Sequence, residues 1–72
     1  MSWAEEVREV VTRRWPKGAE FSLAQVYEFE RELQARHPSN AHVRDSIREA
    51  LQKLRDEGLN EFLDNMGHYR RM

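Results

Sequence analysis

The segment from His37 to Arg71 limits the possible folds of this chain more than any other part of it. Apolar residues recur there at the spacing of one helix face, at Val43, Ile47, Ala50, Leu51 and Leu54. Gly58 follows them, and glycine is the residue that most often ends a helix in a left-handed conformation. Two short runs then flank a turn that contains a second glycine. A helix over 41–57 and a hairpin over 60–64 and 67–71 are therefore predicted.

Two shorter helical patterns precede this segment, over residues 3–14 and 23–36. Each begins with a capping box, in which a serine precedes a Glu or Gln by three residues, and each is followed by a proline. The extended run at residues 20–21 is suited to a third strand beside the hairpin. Trp3 is expected in the core, and Trp15 is expected at its partly exposed edge.

The order helix, helix, long helix and two-stranded hairpin is typical of a winged helix-turn-helix. A chain of 72 residues holds one small core, so residues 1–72 are predicted to form a single domain. The predicted fold class is α+β, with three helices plus a β-hairpin wing. In this fold the third helix enters the major groove of duplex DNA, and DNA binding is therefore the first functional hypothesis.

Composition narrows the classes of function further. Cysteine is absent and the three histidines lack H-x-x-x-H spacing, so neither a metal nor another cofactor is expected. No window holds the roughly 18 apolar residues that a membrane span needs, and the first residues lack a signal-peptide pattern. A cytoplasmic protein is expected. No nucleophile–base pair or carboxylate pair is placed for catalysis, so the domain alone is expected to be non-enzymatic.

The charge balance favours a competing hypothesis. Charged residues make up 35% of the chain, yet the net charge is only −1, whereas DNA-binding domains are usually basic. The acidic residues Glu28, Glu30 and Glu32 would also oppose DNA on the side of the second helix. The alternative is a winged helix that binds another protein, as an adaptor or a dimerisation domain.

Longer sequence strings point to a family. N-x-H-V-R-D-x-I-R-x-x-L-Q-x-L-R-D-x-G-L-x-E-F-L begins at Asn40 and is followed by G-x-Y-R, and F-S-L-A-Q-V-Y-x-F-E-x-x-L begins at Phe21. Together they resemble the winged-helix domain of DpnI-like, Dam-replacing restriction enzymes over residues 20–71. The resemblance implies duplex DNA binding, in some members with a preference for N6-methyladenine. The nuclease string P-D…(D/E)-x-K does not occur in this chain, so cleavage is not implied, and a nuclease domain outside this chain is a further candidate partner.

The candidate DNA-binding residues lie on the third helix and on the wing. Asparagine can pair with adenine and arginine with guanine through two hydrogen bonds each, and free N–H groups at a helix start suit a phosphate. The candidates on and before the third helix are Asn40, His42, Arg44, Asp45, Ser46 and Arg48. The candidates on the wing, expected to contact the DNA backbone, are Asn65, His68, Arg70 and Arg71.

Structural roles are the alternatives for several of these residues. Ser39 or Asn40 is expected to cap the third helix, and capping alone would account for Asn40. Asp45 would repel phosphate and suits an ion pair with a neighbouring arginine, although a carboxylate can also accept a hydrogen bond from cytosine. Arg70 and Arg71 would equally fit a solvated terminal strand.

Overall fold

The computed structural model describes residues 2–64 and 66–72 of the chain. Helices and strands follow one another in these residues as α1 (Trp3–Arg14), β1 (Glu20–Ser22), α2 (Leu23–Tyr27), α3 (Glu30–Arg36), α4 (Val43–Asp56), β2 (Asn60–Phe62) and β3 (His68–Arg71). The strands form one antiparallel sheet in the order β1-β3-β2. The α+β fold class of a small winged helix-turn-helix is confirmed, with the β2–β3 hairpin as the wing. Within the described ranges, no helix is long and apolar enough to cross a membrane.

The predicted helix over 23–36 is two helices, so residues 2–64 and 66–72 contain four helices where three were predicted. The N–H groups of Glu28 and Phe29 donate to carbonyls three residues earlier, at 3.2 and 3.0 Å. This tighter turn ends α2, and α3 then begins at Glu30. Phe29 contacts Trp15 edge-on with ring centroids 6.4 Å apart, while Leu33 is completely buried. The break therefore turns both apolar side chains toward the core.

The long helix α4 begins at Val43, two residues after its predicted start, and ends at Asp56. The Asn40 side chain explains the difference, because its Oδ1 accepts a hydrogen bond from the peptide N–H of His42 at 2.6 Å and holds residues 40–42 in a turn. The N-cap position falls on His42, not on Ser39 or Asn40. The strands of the wing are also shorter than predicted, and the predicted turn residue Asn65 lies outside the described residues.

The core lies between α1, α4 and one face of the sheet. Val7, Val10 and Leu51 are fully or almost fully enclosed. Trp15 is only 6% exposed, so the prediction of a partly exposed Trp15 was wrong, and Trp3 is the half-buried tryptophan. Trp15 stacks on Phe21 with ring centroids 4.6 Å apart, which fixes the end of α1 against β1. Apolar burial of this kind is the main stabilising contribution in a domain of this size.

Candidate nucleic-acid interface

A network of side-chain hydrogen bonds builds the turn between α3 and α4. Gln34 donates from Nε2 to the carbonyls of His37 and Asn40, at 2.8 and 3.0 Å. Asn40 in turn donates from Nδ2 to the Ser46 hydroxyl at 3.0 Å, while its Oδ1 accepts from His42. The predicted candidates Asn40 and Ser46 therefore lie side by side, but they are hydrogen-bonded to each other. Their polar atoms hold the start of α4 in place.

The first turn of α4 is open to solvent. His42 occupies the N-cap position without a side-chain hydrogen bond to the helix, and the first intrahelical bond runs from the Ser46 N–H to the His42 carbonyl at 3.0 Å. The peptide N–H groups before it have no intrahelical partner and give the helix start a partial positive charge. The exposed His42 and Asp45 side chains are 4.0 Å apart at this end.

The two candidate arginines of α4 have different surroundings. Arg44 is held on the α2–α3 side, where its Nε lies 2.7 Å from Glu30 and its guanidinium lies 4.8 Å from the centroid of the Tyr27 ring. Arg48 is exposed and forms no ion pair with the described part of the chain. Arg48 is therefore the candidate cation of α4 that is free to meet a ligand.

A groove runs between the exposed face of α4 and the wing. It is lined by Leu23, Asp45, Arg48, Glu49, Gln52, Phe62, Asp64, Met66, Gly67 and Tyr69. Its floor is aromatic and aliphatic, and its rim carries three carboxylates and one guanidinium. Burial raises the pKa of Tyr69, with the nearby Tyr27 adding to the rise, whereas Arg48 acts on the pKa in the opposite direction. Arg48 and Tyr69 thus line the same groove.

The two wing arginines point to opposite faces of the sheet. Arg70 lies between its cross-strand neighbours and forms ion pairs with Glu20 at 3.7 Å and Glu61 at 3.3 Å. Arg71 donates from Nη1 to the Trp15 carbonyl at 2.8 Å and so caps the end of α1. Adjacent residues of a strand alternate between faces, so the pair does not form one basic patch.

At the tip of the wing, the His68 Nδ1 lies 2.7 Å from Asp64 Oδ2. The placement of Asn65 falls outside the described residues. The predicted wing candidates thus have internal partners wherever the structure describes them.

Arg31 is a candidate that the sequence analysis did not include. It is exposed on α3 and lines a second groove with His42 and Arg44 at the start of α4. It has no ion-pair partner in residues 2–64 and 66–72. In the sequence Arg31 lies between Glu30 and Glu32, so this run was treated as acidic and Arg31 was not predicted to bind DNA. The helical spacing of four residues from Phe29 to Leu33, which places Arg31 on the opposite face, is the signal that could have identified it.

Comparison with protein families gives a match over almost the whole chain. Residues 1–71 match the family described as the Dam-replacing HTH domain. Such a domain is a DNA-binding module and not a catalytic one. The match includes α1, whereas the sequence strings that resemble the family cover residues 20–71. With its four helices and three-stranded wing sheet, the chain belongs to the Dam-replacing HTH domain family.

Proposed function

We propose that the domain binds duplex DNA with the N-terminal half of α4 in the major groove. One observation carries the proposal beyond the family: the start of α4 is uncapped and exposed, and Arg48 next to it has no ion-pair partner among the described residues. A helix start of this kind supplies N–H groups for a phosphate, and a free arginine supplies two parallel donors for a guanine.

Individual roles follow from the surroundings of each side chain. Arg48 contacts a base edge, and Arg31 contacts a phosphate next to the start of α4. Arg44 contributes once Glu30 releases it, because the two now form an ion pair. His42 and Asp45 lie at the same end of the helix and adjust which base is accepted. Asn40 and Ser46 act indirectly, by holding the turn that positions α4.

The wing follows the DNA backbone next to this helix. Arg70 and Arg71 would have to give up their contacts with Glu20, Glu61 and the Trp15 carbonyl to reach a phosphate. Backbone binding therefore depends mainly on α3 and α4. The resemblance to DpnI-like, Dam-replacing restriction enzymes suggests a dependence of the affinity on the base sequence or on N6-methylation of adenine, and the proposal includes this dependence.

The experiment is a titration of the 72-residue domain with methylated and unmethylated duplexes at about 50 mM salt, where phosphate contacts contribute strongly. Arg48→Ala should cost about 1–3 kcal/mol of binding free energy, mainly on the preferred duplex. Arg31→Ala should weaken binding to all duplexes alike and flatten the plot of log affinity against log salt by about 0.9.

Lys53→Ala is the matched control, because Lys53 is an exposed cation on the same helix that lies against the start of α1. It removes the same net charge from the domain and should change binding little. Equal losses in Lys53→Ala and Arg48→Ala would mean that net charge alone sets the affinity, which contradicts the assignment of Arg48 to a base.

A protein-binding module is the second candidate function, and the rim of the groove favours it. Asp45, Glu49 and Asp64 all line this groove beside a single arginine, and carboxylates repel the phosphates of DNA. A partner with basic side chains would suit such a rim. The absence of binding to every duplex at about 50 mM salt would favour this function over DNA binding.

A further inference from the structure

The tip of the wing carries the most exposed large apolar side chain of the described residues. Met66 is 83% exposed, whereas Met72 at the opposite end of the sheet is 53% exposed. Met66 also lines the groove that faces α4, together with Arg48 on the other wall. An exposed methionine by itself is common, so its backbone and its neighbours decide whether it has a role.

Hydrogen bonds hold the described backbone on both sides of Gly67. Asp64 accepts hydrogen bonds from the N–H groups of Met66 and His68, at 2.8 and 3.3 Å, and its other oxygen lies 2.7 Å from the His68 ring. These bonds lower the pKa of Asp64, the Met66 bond most strongly and the His68 contact next. Gly67 has φ +85°, and its carbonyl accepts from the Leu23 N–H at 2.8 Å. These hydrogen bonds hold the described backbone from Met66 to His68, from which the Met66 side chain extends into solvent.

The charges of the wing indicate what this side chain can meet. Arg70 is paired with two glutamates and Arg71 with a carbonyl, and the Asp64 carboxylate stands beside His68. The described part of the wing thus offers no unpaired arginine to a phosphate. A wing that approaches DNA with these arginines still paired gains little from phosphate contacts, and the exposed Met66 side chain is placed to supply an apolar contact in addition.

We infer that Met66 inserts between two base pairs in the minor groove next to the major groove that α4 occupies. The inference rests on the proposed DNA binding and specifies what the wing does there. Apolar wedges of this kind partly unstack a base step and bend the duplex toward the major groove. Flexible pyrimidine–purine steps such as TA accept such a wedge most easily, whereas A-tracts resist it.

The test uses duplexes of roughly 20–30 base pairs that carry either TA steps or an A-tract beside the site. Bending is followed by energy transfer between dyes on the two DNA ends, and affinity is followed over a salt series. Wild-type protein should bend the TA duplex more than the A-tract duplex. Met66→Ala should lose the bend and about tenfold in affinity, with the salt slope unchanged because no phosphate contact is lost.

Met66→Leu keeps an apolar wedge and should retain both the bend and the affinity. Met72→Ala is the control for removal of an exposed methionine elsewhere. Binding and bending by Met66→Ala that equal those of wild type would overturn this inference and leave DNA binding intact, as would a wild-type complex with straight DNA. Failure of the wild-type protein to bind any duplex at about 50 mM salt would overturn the proposed function and this inference together.

Discussion

Glu6 is a charged residue in the core, and its burial depends on one distant partner. Its side chain is almost fully enclosed and pairs with Nε2 of His37, on which Trp3 stacks with ring centroids 4.4 Å apart. His37 also supplies a carbonyl to Gln34 in the turn before α4. This contact ties the first helix to the turn that positions α4. It joins residues 31 positions apart, so no local pattern in the sequence predicts it.

Removing the imidazole should therefore destabilise the whole domain. His37→Ala leaves the buried Glu6 carboxylate without its hydrogen-bond partner, and the free energy of unfolding should fall by about 1–3 kcal/mol. Urea denaturation measures the change. His42→Ala, at an exposed histidine, should stay within about 0.5 kcal/mol of wild type. Equal stability of His37→Ala and His42→Ala would mean that the Glu6 contact contributes nothing.

At the scale of the elements, capping boxes and turn glycines correctly predicted where several helices and turns begin or end. Both capping boxes begin helices as predicted, although at Ser2 only the serine half of the box is formed. Gly58 and Gly67 have the positive φ expected at the end of a helix and in a hairpin turn. The break after α2 escaped prediction because the apolar spacing continues through it, and tertiary contacts of Phe29 decide it. The opposite directions of Arg70 and Arg71 follow from the alternation of side chains along a strand, whereas the sequence prediction assigned both to the DNA backbone.

The wing turn should respond to acid through Asp64. Because the folded pKa of Asp64 lies below its ordinary value of 3.8, its contribution to stability is complete above that value. It is lost as the pH falls through the lower, folded pKa. The amide resonances of Met66 and His68, followed by NMR from about pH 5 to about pH 2, should shift in this window.

Asp64→Asn is the matched variant, because the amide oxygen can still accept hydrogen bonds but the side chain does not titrate. Its Met66 amide should show no acid transition in that window. An identical transition in Asp64→Asn would assign the effect to another group.

For the molecule as a whole, the small size of the core makes single side chains decisive. A 72-residue chain buries only about 60% of the surface that it exposes when unfolded. Leu51 lies fully buried on α4, the helix that packs against α1 and the sheet and also carries an exposed face that includes Arg48. The periodicity of α4 predicted this division of faces correctly, since the helix follows its own 3.6-residue repeat over the whole length.

Leu51→Ala should lower the free energy of unfolding by about 2–5 kcal/mol, through lost apolar burial and the cavity that remains. This is a large part of the stability of so small a domain. Thermal and urea denaturation measure the loss, with Gln52→Ala, the exposed neighbour, as the control. A melting temperature of Leu51→Ala within a degree or two of that of Gln52→Ala would contradict the assigned core face.

The strand order has a consequence for how the protein is made. β3 is the last strand along the chain but the central strand of the sheet, and it pairs with β1 and β2 on its two sides. On the ribosome, therefore, the sheet cannot assemble until residues 68–71 have emerged. Until then β1 and β2 have unpaired edges, and the Trp15 carbonyl has no guanidinium beside it. The sheet of this domain should therefore form in a single step after residues 68–71 are synthesised, although the described helices precede them in the chain.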